Sequence, residues 1–597
     1  MAQRRFDSGL EMTNYQGLEA QNTYQGMLMN DYPGNNSEDA GSGKPAFHMN
    51  GNVYTEDPRA LLHRDLKTRQ ISMIALGGAL GTGLLVNTGP YLAQSGPGSM
   101  IIGYALVGVL CYSVMAAMGE MAAWLPIPSG FTGFAHRFVD PALGFALGWN
   151  YWFKYIITTP NNLIASTLVI KYWFDVRGYT GPASHPALYV ALLLVAIIAI
   201  NYFGVGVFGE FEFWLSSVKV LVILGLIIFT VVVAAGGGGK THPKGFHYWN
   251  DPGAFAVYPG LKKGSGQFLG FWSVLSSAVF SFLGAELVGV TVGEAQNPRK
   301  AIPRAVRLTF FRIVFFYLVL VLLLGMTVPY NSPLLLSAVH ESDNSVNAEA
   351  SPFVVAARIA GVNTLPNLIN VCLLVFTFSA ANSDLYIATR TLYSLAVEGN
   401  APSIFSHTDQ RGVPIYSLAL SSAFCCIAFI SEKIGAFKAF QYFVSLVTIF
   451  GILTWISILI SHIYFVRARM AQNIPDSALT FVSPFGANGS LTFLVFACVI
   501  LVFNGWADFI HTDTVKFDWK NFIVDYIGVP LYLLMIFGYK IIMKTEGVRP
   551  EDADLFSGKQ KIDEDEAEFL AEELRRKGGV SETRYERLYR VTLGNFF

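Results

Sequence analysis

The chain has 597 residues, of which 53% are hydrophobic and only 14% charged, with a formal net charge of -1. Soluble domains carry about 25% charged residues, so a chain this poor in charge is solvated mainly by lipid. The near-neutral balance excludes an electrostatic footprint for nucleic acid, and no nucleophile–base pair, metal-ligand spacing or phosphate loop marks an enzyme.

Residues 1–60 are polar and rich in Gly, Asn and Ser. They lack the apolar core of a signal peptide and read as a disordered tail, so the first hydrophobic segment serves as the targeting signal. Beyond them, apolar runs long enough to span a bilayer recur roughly twelve times. They fall near 71–94, 99–124, 141–173, 186–204, 211–235, 268–292, 305–328, 365–396, 415–431, 440–466, 491–507 and 523–543. None alternates with period two, so the segments are helices rather than barrel strands. The tail 545–597 contains "KIDEDEAEFLAEELRRKGG", a short charged helix at the membrane face. Cys111, Cys372, Cys425, Cys426 and Cys498 all fall in apolar segments without zinc-type spacing and read as small buried hydrophobes.

Lysines and arginines near the segment ends set orientation. Arg59, Arg64, Lys67 and Arg69 precede the first segment, Arg299, Lys300, Arg304 and Arg307 precede the seventh, and Arg467, Arg469, Lys540 and Lys544 follow the tenth and twelfth. With an even number of spans these share one side, the cytoplasm, and both termini lie there. Lys240, Lys244, Lys262 and Lys263 dissent from a long loop, where charge counts for less. The sequons at Asn35 and Asn488 then face the cytoplasm and stay unmodified.

Two segments are interrupted by small residues, "IALGGALGTGLLVNTG" in the first and "VFSFLGAELVGVTVGEA" in the sixth. Such residues serve close helix packing, or they mark a pair of broken helices meeting at the midplane. A break at Thr82 and Gly83 would free backbone N–H groups at a new helix start, an anion site. Lys154 stands near the middle of the third segment, about 20 Å beyond Pro141, where a charge needs a cavity or a partner.

The motifs "HRDLKTRQISMIALGGALGTGLL", "YFGVGVFGEFEFWLSSVKVL", "GEAQNPRKAIPRAV" and "TRTLYSLA" resemble those of the fungal amino acid permeases of the amino acid–polyamine–organocation superfamily. The resemblance covers roughly 55–597, nearly the whole chain. "FVDPALGFALGW", "WFKYIITTPNN", "HYWNDPGAF", "SPFVVA", "ANSDLYIATR" and "LGNFF" look like the dicarboxylic group, carriers of glutamate and aspartate. The resemblance implies an all-α polytopic membrane protein of about twelve transmembrane helices. These form a 5+5 inverted repeat (about 71–235 and 268–466) with helices 1 and 6 broken, plus two extra helices, in a transporter domain 61–544. It implies proton-coupled uptake of acidic L-amino acids across the plasma membrane, with glutamine and asparagine as further substrates and no cofactor or metal. Ubiquitin-ligase adaptors acting on tail lysines such as Lys44, Lys559, Lys561 or Lys577 are implied partners. A broad neutral permease, or a sensor with little flux, are the alternatives.

The family pattern puts the substrate carboxylate on Gly81-Thr82-Gly83. It puts the ammonium on carbonyls near Leu76 and Phe280-Ser281. Glu286, an intramembrane acid just after the second interruption, either senses the ammonium, carries a proton or serves as a structural hydrogen-bonding group. Permeases for neutral and cationic amino acids tend to have a small polar residue at the Lys154 position and a glutamate at the Asn162 position. Both departures here favour an anionic side chain. The other reading of Lys154 is pairing with an acid of another segment. Lys219 resembles a built-in cation reaching Ser379 and Ser383 of the eighth segment, unless it snorkels to the cytoplasm. Asp384 is its candidate counter-ion and Glu120 a candidate proton-path residue; both could equally make ordinary interhelical pairs.

Overall fold

The structure, a computed structural model, describes residues 47–49, 52–54, 81–127, 129–175, 185–237, 245–258, 260–287, 298–339, 351–362, 364–509 and 517–560, with scattered positions from 563 to 575. The chain divides into a small unit, Met1–Pro58 with Ile474–Ala478, and a large one holding the rest. Within the small unit, Phe47–Met49 pairs antiparallel with Asn52–Tyr54, a hairpin inside the tail read from sequence as unstructured.

The large unit is helical and inverted in polarity. Leu192, Val195, Leu221, Ile228, Leu534 and Ile541 face outward, while Asn87, Lys154, Asn161, Glu212, Lys219 and Glu286 are buried. Water would not tolerate this distribution, but a bilayer requires it. Among the described residues six helices are long and apolar enough to cross a membrane, and the pair Trp519–Tyr526 and Gly528–Met543, bent by 43°, would be a seventh. Pro186–Tyr202 and Gly486–Val502 are apolar but shorter. The protein is thus a multi-pass helical membrane protein, and each of the segments read from sequence contains helix.

The elements that build the site are α1 (Thr82–Leu85), α2 (Thr88–Trp124), α3 (Pro141–Asp175), α4 (Val205–Ala234), α5 (Lys263–Phe282), α6 (Leu365–Val397) and α7 (Ala436–Ala471). α3 packs against α6 and α7, α5 against α2, and α1 against α5 and α6. At the start of α3, Pro141 presets a helical φ and the Asp140 carboxylate accepts from Ala142 N at 2.8 Å. That carboxylate also pairs with Lys540 and accepts from Thr545, anchoring α3 to the end of the last helix.

One sequence boundary stands out in the structure, and one expectation needs correction. The boundary placed between 94 and 99 is seen directly: within α2 two helical stretches meet at Gly96, whose φ of +79° and ψ of 166° are non-helical, with Pro97 next. The backbone groups released there are satisfied by a neighbouring loop, Gly98 N donating to Ala254 O at 2.7 Å and Ala256 N to Ser95 O at 3.0 Å. A Cβ on Gly96 would meet Ala256 N at 2.7 Å, so this close approach needs glycine. The cysteines are free, but only Cys111 and Cys425 are buried; Cys426 and Cys498 are exposed on the apolar surface.

Candidate functional site

The third predicted segment carries its polar residues on one face. Lys154, Thr158 and Asn162 recur at intervals of four along α3, and with Tyr155 they line a small cavity of about 40 Å³. The opposite walls are Gly81, Thr82 and Gly83 at the start of α1, Phe280 and Ser281 at the end of α5, Leu283 and Gly284 beyond it, Ala380 and Asp384 of α6, and Val447 of α7. Most of the residues assigned to substrate from sequence therefore share one cavity. Leu76 lies outside the described residues.

The break in the sixth predicted segment is visible in detail. α5 ends at Phe282, and Leu283 and Gly284 leave helical geometry, with Gly284 at φ +94°. In a continuing helix Gly284 N would bond the Phe280 carbonyl; instead it donates to both oxygens of Glu286, at 3.2 and 3.1 Å. Ala285 N likewise bonds Phe282 O rather than Ser281 O. The Phe280 carbonyl is thereby left outside the helix ladder on the cavity wall, while the Ser281 carbonyl accepts from Tyr317 Oη at 3.0 Å. The Ser281 hydroxyl is engaged as well, 2.8 Å from Tyr104 Oη. On the facing side α1 begins at Thr82, and Gly81 is extended.

Lys154 is 1% exposed and forms an ion pair with Glu286, which is fully buried. Its ammonium lies over the Tyr155 and Tyr151 rings, 4.6 and 5.1 Å from their centroids. Trp455 Nε1 donates to Glu286 Oε2 at 3.4 Å. Pairing with an acid of another segment is thus what Lys154 does here, and that acid flanks the cavity. Sequence reasoning named both residues but did not join them.

Asn162 bridges two walls. Its Oδ1 accepts from Thr82 Oγ1 at 2.9 Å, and its Nδ2 donates to Asp384 Oδ2 at 2.6 Å. This corrects the role expected of Asp384. The carboxylate paired with Lys219 is Glu212, at 3.4 Å and equally buried, whereas Asp384 faces the cavity. Glu212 Oε1 also accepts from Ser379 at 2.8 Å and Ser216 at 3.1 Å. The expected link from Lys219 to Ser379 of α6 therefore runs through a residue that sequence reading missed, although "EFEFWLSSVK" places Glu212 two helical turns before Lys219 on one face. Lys219 does not snorkel; it is fully buried.

Glu120 is not on the cavity wall. Its carboxylate meets His462 Nε2 at 3.1 Å, accepts from Ser483 N at 2.8 Å and lies 3.6 Å from Arg469, tying α2 to α7. Among the described residues no cluster of metal-ligating side chains occurs.

The cavity presents one ammonium, a neutral amide, the Asp384 carboxylate and a freed carbonyl in an apolar frame, with the Glu286 carboxylate behind Lys154, a polarity suited to a small zwitterion. A family model for amino acid permeases matches residues 70–548. A dicarboxylic amino acid permease of Saccharomyces cerevisiae is 46% identical over 550 residues, 91% of this chain and 88% of the relative. An uncharacterised amino-acid permease of Schizosaccharomyces pombe is 45% identical, covering 84% of this chain and 93% of its own. A lysine-specific permease of Saccharomyces cerevisiae is 37% identical, covering 84% and 79%.

Proposed function

Because the chain belongs to the amino acid permease family, whose members are transporters and not enzymes, we propose that it imports acidic L-amino acids, glutamate and aspartate, across the plasma membrane together with protons. The observation that supports this most is Lys154, a buried ammonium in the wall of the cavity. The 46% identity to a dicarboxylic amino acid permease agrees with it. Glutamine and asparagine are secondary substrates.

In this reading the substrate carboxylate meets Gly81, Thr82 and Gly83, and the ammonium meets Leu76 and the carbonyls of Phe280 and Ser281, while Glu286 holds Lys154 before substrate binds. The side-chain carboxylate meets Lys154. Asn162, in place of an acid, spares it repulsion. Lys219 with Glu212, and Asp384 beside the cavity, carry proton coupling, with Glu120 further along the path. The inverted repeats occupy about 71–235 and 268–466 of a twelve-helix domain 61–544, both tails are cytoplasmic, and ubiquitin-ligase adaptors act on those tails. The test is competition of labelled glutamate uptake by unlabelled amino acids at several pH values. Aspartate competes under this reading; competition by leucine and serine but not aspartate refutes it, and binding without uptake marks a sensor.

A neutral amino acid permease is the second reading, favoured by one observation: Glu286 already neutralises Lys154 inside the protein.

A further inference from the structure

The Lys154–Glu286 pair makes the cavity electrically balanced before an anionic side chain enters. A third charge changes that. With the substrate carboxylate beside Lys154, one ammonium would face two carboxylates in a low-dielectric interior, and like charges sharing such a site drive one of them to take a proton. The structure shows which protein carboxylate could yield. Glu286 sits just beyond a helix break, two residues after Gly284 at φ +94°, and its remaining partners, Gly284 N and Trp455 Nε1, are donors that a protonated carboxyl still satisfies through its carbonyl oxygen.

We infer that Glu286 is an internal stand-in for the substrate's side-chain carboxylate: an acidic substrate takes over the Lys154 ammonium, and Glu286 is discharged by binding one proton from solvent. This deepens the acidic-substrate reading and rests on it. The bonds balance: the Lys154–Glu286 contact is replaced by Lys154–substrate carboxylate, one O–H forms on Glu286, and the net charge of the cavity is unchanged. A neutral side chain such as that of glutamine leaves the pair intact and takes up no such proton. Proton linkage is thereby built into the selectivity contact itself.

The other titratable groups facing Glu286 are Tyr151 and Tyr155 on α3 and Cys111 on α2; Asp384 on α6 feels the Lys154 ammonium, and with it Lys219 and Glu212. Asp384, also on the cavity, is the rival proton site.

The test is equilibrium binding of labelled glutamate and glutamine to the purified full chain in lipid nanodiscs between about pH 5 and pH 8. Glutamate affinity should fall toward high pH, approaching about tenfold per pH unit above the linked titration, while glutamine affinity falls less steeply. Glu286→Gln should flatten the glutamate profile and bind glutamate at pH 8 at least as tightly as the unmodified protein. A Glu286→Gln protein that keeps the full slope, or loss of the slope in Asp384→Asn alone, overturns the inference. A second measurement needs no variant: in weak buffer with a pH indicator, glutamate binding should take up about one more proton than glutamine binding. Equal uptake overturns the inference. Failure of the acidic-substrate reading looks different: the unmodified protein then binds neutral amino acids but no glutamate at any pH.

Discussion

Gly83 approaches Ser281 so closely that a Cβ on the glycine would stand 2.5 Å from the Ser281 Cα, whereas a Cβ on Gly81, two residues earlier, would meet nothing within 4 Å. The two glycines thus do different work. Gly83 lets α1 pack on α5, and Gly81 leaves space at the cavity. Gly83→Ala should lower the amount of protein reaching the membrane, because backbone must move. Gly81→Val should reach the membrane normally and yet lose uptake, because its side chain occupies the place of the substrate carboxylate. Membrane abundance and labelled glutamate uptake, measured on both variants, separate the effects; normal uptake by Gly81→Val removes the carboxylate site from this account.

Lys219 and Glu212 are both fully buried. Removing one partner of such a pair costs about 3–5 kcal/mol, since the other charge is left uncompensated. Lys219→Ala should therefore be poorly expressed, and adding Glu212→Gln should restore much of the lost abundance. Uptake by the double variant should no longer respond to pH. An unchanged pH response in a well-expressed double variant shows that the pair is structural only.

Asn162 donates to Asp384 at 2.6 Å. Asn162→Glu would bring two carboxylates together beside the cavity, and a charge-assisted hydrogen bond contributes about 1.5–3 kcal/mol. Apparent affinity for glutamate should fall roughly ten- to a hundredfold. Asp384→Asn in the same chain should recover part of the loss. Competition assays with glutamate decide it: no recovery means that the Asn162–Asp384 contact is not what the substitution disturbs.

The start of the C-terminal tail is docked. Trp124 Nε1 donates to Leu555 O at 2.9 Å, Gln472 Nε2 to Ala553 O at 2.7 Å, and Leu555 is fully buried. Arg299 pairs with Asp563 and Glu566. Lys559 lies 3.3 Å from the centre of the Trp124 ring, and burial pushes its ammonium down to about 8. A base whose value is lowered on docking favours the docked form at high pH, and that advantage is lost as pH falls through about 8. Leu555→Asp should free the tail, since burying a leucine contributes about 1.5–3 kcal/mol. Faster proteolysis of the tail in that variant, and slower cleavage of the unmodified tail as pH rises from about 7 to 9, are the expected readings.

Much of the cavity was legible because polar atoms stand out in apolar runs. Lys154, Asn162 and Glu286 could be picked out singly, since lipid admits such groups only beside a cavity or a partner. Their pairing was not legible, because Lys154 and Glu286 are 132 residues apart and sequence alone gives no distance between helices. Glu212 was within reach of helical periodicity and was overlooked. The exposed Cys426 and Cys498 show the opposite limit: lipid is as apolar as a protein core, so hydrophobicity does not tell inside from outside. The break at Gly96-Pro97 was legible as the gap between two apolar runs, but its partners were not, because the donor and acceptor that satisfy it come from residues 254–256.

The central claim is that Lys154 reads an acidic side chain. The most direct measurement is the affinity of glutamate against glutamine, and aspartate against asparagine, in a Lys154→Met, Glu286→Gln chain, where neither charge of the pair is left orphaned. Loss of one charge-assisted hydrogen bond, about 1.5–3 kcal/mol, should weaken the acidic substrates roughly ten- to a hundredfold while the amides change little. Equal losses for glutamate and glutamine would contradict the account and leave Lys154 a structural partner of Glu286.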